Sequence, residues 1–194
     1  MDAGTPSGSG VSKVVGVVGC AAGGVEQLRI HLVEPLVARR HRVAVSLTPS
    51  AASWLREVGE VDQLAEVTGL PVRSEPRMPS GARPHPNVDV YVMAPATANS
   101  VAKLAMGIAD NQALSTLCES LGTTPMVVFP RINAAHARHP SWEGHVETLK
   151  RAGVRLAYGE DVWPLHEPRE GPSDQSLPWP WIIAVVDRVL ASEA

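Results

Sequence analysis

Short β-branched apolar runs alternate along this chain with longer stretches of helical period. Val14-Val-Gly-Val-Val-Gly19, Arg42-Val-Ala-Val-Ser-Leu47, Val88-Asp-Val-Tyr-Val-Met-Ala94, Pro125-Met-Val-Val-Phe129 and Val154–Tyr158 predict five strands. Runs this apolar suit strands buried on both faces. Strand and helix in strict alternation predict the α/β class, a doubly wound parallel sheet in three αβα layers with right-handed crossovers.

The intervening segments carry helix signals. Val25, Leu28, Leu32, Val33 and Leu36 keep helical spacing, and Pro35 should kink or shorten that helix. Pro49 suits a first helical position, with Ala51, Ala52, Leu55 and Val58 as the apolar face. A further piece from Val61 to Thr68 stops at Gly69, after which Pro71-Val72 can pair briefly. Pro76, Pro79 and Pro84 exclude regular structure up to Pro86, which reads as a long functional or interface loop. Helices are expected at about Ser100–Met106 and Asp110–Ser120, with Asp110 as N-cap. Another runs from Pro140 to Ala152, with Trp142, Val146 and Leu149 on one side, and an amphipathic helix closes the chain. Trp163, Trp179 and Trp181 read as packing or subunit-contact residues.

At 194 residues the chain suits a single compact domain. Residues 1–12 are small and polar and read as a disordered leader, leaving 13–194 as the domain. The formal net charge of −3 is mild, and no basic stripe predicts nucleic-acid binding. No run approaches the ~18 apolar residues of a membrane span. Cys20 and Cys118 make no disulfide framework, so a reducing, cytoplasmic setting is expected. The histidines lack metal-ligand spacing, and no metal is expected.

In parallel sheets of this kind ligands bind beyond the carboxyl ends of the strands. Four loops fall there: Gly19–Gly24, Thr48–Ala51, Pro95–Ser100 and Pro130–His139. The first is small and glycine-rich, so its backbone N–H groups can approach an anion. Its glycine spacing is not that of a dinucleotide fingerprint, and no phosphate-loop Lys-Ser pair follows. The second offers two hydroxyls, Thr48 and Ser50, which read in isolation as simple helix caps. In the third, Thr97 and Asn99 bring polar side chains while Ala96 and Ala98 leave room for a flat ring. Lys103, one of three lysines, lies one helical turn beyond Asn99.

Here the sequence closely resembles the homo-oligomeric flavin-containing cysteine decarboxylases. These include the phosphopantothenoylcysteine decarboxylases and the peptidyl-cysteine decarboxylases of epidermin-type biosynthesis. Their Pro-Ala-Ser/Thr-Ala-Asn-Thr signature stands here as Pro95-Ala-Thr-Ala-Asn99-Ser100, and the continuation to Asn111 is also similar. Their Pro-x-Met-Asn motif, followed by Met, stands as Pro130-Arg-Ile-Asn133-Ala-Ala-His136. The resemblance covers roughly Val14 to Tyr158. It implies a Rossmann-like subunit, a homotrimer or homododecamer, and flavin mononucleotide (FMN) bound at subunit contacts. Carried over, Gly19, Cys20 and Ala21 with Thr48 and Ser50 would sit near the flavin phosphate and ribityl chain. Ala96, Thr97 and Asn99 would lie along the isoalloxazine, and Asn133 would hold the substrate carboxylate. In that family the flavin oxidises a C-terminal cysteine to a thioaldehyde, which loses carbon dioxide to give an enethiol.

Three positions depart from the pattern. The family's catalytic histidine, fourteen positions before the signature proline, is Gly81 here, and His85 is the candidate substitute. His136 replaces an apolar methionine and is a candidate acid or base, since imidazole titrates near neutrality. Cys20 stands where a phosphate-contacting serine is usual, and a thiol is a weak donor. The phosphopantothenoylcysteine enzymes keep a cysteine beyond the last strand that Gly159–Pro168 lacks, and a fused synthetase domain is not expected. The expected substrate is therefore a small-molecule or peptide thiol-carboxylate in specialised peptide biosynthesis. A flavin-binding protein without decarboxylase activity is the alternative, prompted by Gly81, and flavin prenyl transfer ranks below both.

Overall fold

The computed structural model describes residues 12–172 and 176–192, so the anticipated leader lies almost wholly outside the described residues. Five strands form one sheet: β1 (Val14–Gly19), β2 (Arg42–Leu47), β3 (Val90–Ala96), β4 (Met126–Pro130) and β5 (Arg155–Leu156). Their order is β2-β1-β3-β4-β5, and every pairing is parallel. The chain moves outward from β1 to β2, then returns past β1 to β3. Connections therefore diverge at the β1/β3 boundary, where such sheets open a crevice.

Side chains alternate across these strands and build two apolar layers. Val15, Val17, Val43, Val45, Val92 and Phe129 face Leu28, Leu32 and Leu36, together with Ile182 and Val186 of the last helix, α8 (Trp179–Ser192). Helices α2 (Pro49–Glu57) and α3 (Glu60–Thr68) add Ala51, Leu55 and Leu64 to the same layer. On the opposite face, Val18, Met93 and Val128 pack against α4 (Ala98–Met106), α5 (Gln112–Ser120) and α7 (Trp142–Arg151) through Leu104, Leu117 and Val146. The result is the expected three-layer αβα, Rossmann-like doubly wound sheet.

The distortion expected from Pro35 takes a particular form. The chain passes through a 3-10 turn at Val25–Gln27 and a π-helical stretch at Arg29–Val33 before α1 (Glu34–Ala38), which carries Pro35 in its first turn. Proline cannot donate to the residue four before it and its ring crowds that carbonyl. Widening the preceding turn removes the conflict.

Other expectations need correction. Asn111, not Asp110, caps α5, its side chain accepting from Leu114 N–H at 3.1 Å. Val58 is 62% exposed rather than part of the α2 apolar face. The strand expected over Val154–Tyr158 shrinks to Arg155–Leu156. Pairing near Pro71-Val72 falls one residue later, at an isolated bridge between Arg73 and Ser46.

The proline-rich connection after Arg73 does lack regular structure. It roofs the β1 and β2 part of the second face, over Gly16, Ala44 and Ser46, and encloses a cavity of about 710 Å³. Gly16 has a packing reason there: a Cβ would come 2.5 Å from the Tyr91 ring.

Candidate functional site

The loops leaving β1, β2, β3 and β4 meet at the β1/β3 boundary around two adjoining cavities of about 380 Å³ each. One is bordered by Ala21–Gly23, Thr97–Asn99, Asn133 and His136. The other is bordered by Ala21, Thr48, Ser50, Asn99 and Lys103. Ala21, Thr97 and Asn99 belong to both, so the two make one groove.

Hydrogen bonding within the chain separates groups already used from groups left over. Cys20 N–H donates to Pro95 O (3.1 Å), Ala22 N–H to Cys20 O (2.8 Å) and Gly24 N–H to Glu26 Oε2 (3.0 Å). Ala21 and Gly23 N–H have no partner among the described residues. Thr48 stands at the N-cap of α2, and its hydroxyl makes no capping bond although the residue is buried. Simple capping therefore does not explain Thr48. Thr97, by contrast, is a cap: its hydroxyl accepts from Ser100 N–H at 3.1 Å and donates to Ser100 Oγ at 3.0 Å.

Asn133 caps the short helix α6 (Ala134–Ala137), its Oδ1 accepting from His136 N–H at 3.0 Å. Its amide NH₂ remains available to the groove. Capping fixes the side chain, which makes it a pre-aimed donor for an anion. Lys103 is paired with Asp110, whose carboxyl is held below its usual range chiefly by that hydrogen bond.

Not every anticipated residue reaches the groove. Gly19, Cys20 and Ala96 lie beneath it and border neither cavity. A Cβ at Gly19 would meet Leu47 at 2.9 Å, so this glycine serves packing. Cys20 is 1% exposed, and burial pushes its thiol pKa up against the opposing contacts of Ser100 and Thr97. It therefore stays a protonated thiol. His85 borders the large cavity under the proline-rich roof, apart from the groove of its own chain. Its Nε2 donates to Pro71 O at 2.7 Å; burial lowers its pKa, that bond opposes the shift, and nearby Arg73 adds to it.

Arg131, at the groove's edge, was not expected as a site residue, and Trp163, expected only as a packing or subunit contact, lies behind it. The Arg131 guanidinium lies 4.7 Å from the Trp163 ring centroid. The two are far apart in sequence, and neither carries a periodicity signal; only the Arg in the signature's variable position was visible.

A family model described as Flavoprotein matches residues 9–177. The chain belongs to the Flavoprotein family. Among curated relatives of this flavoprotein, the coenzyme A biosynthesis bifunctional protein CoaBC of Mycobacterium tuberculosis (strain H37Rv) is 33% identical over 142 residues, 71% of this chain and 32% of that protein. A cysteine/cysteine sulfinic acid decarboxylase from an unknown prokaryotic organism is 35% identical over 68 residues, 35% of this chain and 18% of that protein. The chain spans between 16% and 36% of the length of these curated relatives. Solved structures share the fold. The FMN-dependent cysteine decarboxylase SpaF superposes with a TM-score of 0.65 at 23% identity, covering 95% of this chain and 98% of that one. The cypemycin decarboxylase CypD gives 0.67 at 22% identity, over 94% and 96%.

The groove of this flavoprotein suits a flavin on its own terms. The unspent N–H groups of Ala21 and Gly23 and the unspent Thr48 hydroxyl supply donors of the kind a phosphate and a polyol need. Ala22 and Ala98 keep the groove's walls low, as a planar ring requires, and Asn99 offers an uncommitted amide at its edge. Among the described residues no cluster of three or more His, Cys, Asp and Glu is placed to hold a metal ion. No helix among them is long and apolar enough to cross a membrane.

Proposed function

We propose that this flavoprotein binds FMN in the groove and catalyses the oxidative decarboxylation of a cysteine-derived or C-terminal peptidyl-cysteine carboxylate. The carrying observation is the set of uncommitted donors at the β1/β3 boundary, with Asn133 fixed at one end. Bound there, FMN would supply the two-electron sink. Ala21, Gly23, Thr48 and Ser50 would hold its phosphate and ribityl chain, and Thr97 and Asn99 would border the ring. Gly19, Cys20 and Ala96 would act from below, shaping the floor. Asn133 would bind the substrate carboxylate through its NH₂, and the His136 imidazole, exposed at the groove, would accept or return the thiol proton.

The relatives support this reading, because those described as cysteine decarboxylases share the fold and those in coenzyme A biosynthesis share sequence. The test begins with colour. Purified protein is expected to show flavin absorbance or to acquire it with added FMN; colourless protein that takes up none overturns the proposal. Thr48→Ala is expected to weaken FMN binding by roughly tenfold, the cost of one hydrogen bond to a charged group, without loss of fold. Cysteine-ended peptides should then lose the mass of carbon dioxide, and His136→Ala should slow that loss more than it weakens peptide binding.

A homotrimer or homododecamer is part of the proposal, and Ile30, Trp54 and Met106, each at least half exposed, give such contacts apolar material. Light scattering on the purified chain reads its mass directly. A second reading, flavin binding without decarboxylation, is favoured by one observation: Gly81 replaces the family histidine, and His85 is bound to Pro71 away from the groove of its own chain. Intact peptide mass after incubation with flavin-loaded protein would select it.

A further inference from the structure

Arg131 stands between two cavities. Its backbone N–H donates to Ala96 O at 2.8 Å, which fixes it at the edge of the groove. On its far side lies another cavity of about 350 Å³, walled by Asn133, Trp163, His166, Glu167 and Arg169. Trp163 is buried and set edge-on to Phe129, at 5.9 Å and 85° between rings, so it gives the guanidinium a fixed platform. Ala134 N–H donates to His166 O at 2.9 Å and ties this wall to the Asn133 loop.

Among the described residues the charges in this cavity do not balance. Arg131 Nε is buried without a hydrogen-bond partner, and no ion pair to Arg131 occurs among the described residues. Glu167 is the acid on the wall among the described residues, and both its oxygens are taken by Arg138. Arg169, held at φ 72°, adds a second cation in a backbone conformation that costs a non-glycine residue energy. Stacking on an aromatic face recovers only part of what the half-buried guanidinium loses with its Nε unpartnered. A planar guanidinium fixed in this way presents donors suited to a carboxylate fork.

We propose that Arg131, stacked on Trp163 and joined by Arg169 and His166, forms a carboxylate-binding site beside the groove, which selects substrates carrying an acidic residue in addition to their reacting end. The position of that reacting end rests on the function proposed above; the anion site does not.

Succinate is the probe, titrated at constant ionic strength into the purified full-length chain, with flavin content recorded by absorbance on the same samples. A ligand that binds only the folded state raises Tm. Succinate is expected to raise Tm saturably and to change tryptophan fluorescence, while succinamide does neither. Arg131→Met should weaken the succinate response by about tenfold or more, the loss of a charge-assisted contact. Arg131→Lys, which keeps charge but not the fork, should retain part of it.

Without succinate, Arg131→Met is expected to melt close to the parent temperature, because a half-buried guanidinium with an unpartnered Nε is removed. A markedly lower Tm with an unchanged succinate response would mark Arg131 as a structural residue and overturn the proposal, as would the absence of any succinate response in the parent chain. Turnover separates the two proposals. Glu-Ala-Cys should be decarboxylated in preference to Gln-Ala-Cys, and Arg131→Met should abolish the preference. Succinate binding with no turnover of either peptide overturns the decarboxylase reading alone; turnover without succinate binding or peptide preference overturns the anion site alone.

Discussion

His85 carries a consequence that depends on pH. Burial holds its pKa below the ordinary 6.5 in the folded chain, so the unfolded chain takes up a proton that the folded one refuses. Stability therefore falls as pH drops from the unfolded pKa toward the depressed folded one, and levels off below it. His85→Gln keeps a donor for Pro71 O and removes the titration. Thermal melts from about pH 7.5 down to about pH 5 should show a smaller loss for the variant than for the parent; equal slopes would mean that His85 is not the group responsible. The contrast with Cys20 is instructive. Both stood out in the sequence as chemical groups, but position decides their use. Cys20 is sealed beneath the groove as a thiol, and His85 is spent on a carbonyl under the roof. Neither burial is legible from neighbours in the chain, because each is imposed by segments distant in sequence.

At the scale of elements, structure follows local sequence wherever one strong signal stands alone. Pro49 opens α2, Gly69 closes α3 in the left-handed conformation, and β2 spans the residues expected of it. Where two candidates adjoin, local chemistry could not choose. Asp110 and Asn111 are both good caps, and the extended backbone at Asn111 (φ −149°, ψ 166°) made the choice, releasing Asp110 to pair with Lys103. Asn111→Ala should therefore cost about 0.5–2 kcal/mol in denaturant unfolding, as lost caps do. Asp110→Ala should cost less, since exposed ion pairs contribute little; the reverse order would restore Asp110 as the cap. The groove was legible for a different reason. Thr97, Asn99, Asn133 and His136 sit in two contiguous motifs, whereas Trp163 is brought to Arg131 only by folding.

For the whole molecule, the two sheet faces are finished unequally. One carries continuous helical cover, while the other is helix over β3 and β4 and proline-rich coil over β1 and β2. Tyr91 lies on that second face against Gly16. Gly16→Ala forces the ring or the roof to move and should destabilise by about 1–3 kcal/mol, the usual range for overpacking. A neutral result in chemical denaturation would mean the roof yields freely. Strand order and layering followed from the alternation of strands and helices, but the split between helix and coil cover did not. Proline content excluded regular structure without saying which surface the coil would protect.

The sheet's margins matter beyond the site. At one side only Arg155 and Leu156 pair with β4, leaving a very short strand to present. At the other, Arg73 already takes Leu47 N–H and gives its own N–H to Val45 O, at 2.7 and 3.0 Å. Open, flat margins are where chains add to one another strand by strand and aggregate. Here both margins are blunted among the described residues. Edge-to-edge pairing of two copies therefore finds little backbone template at either margin.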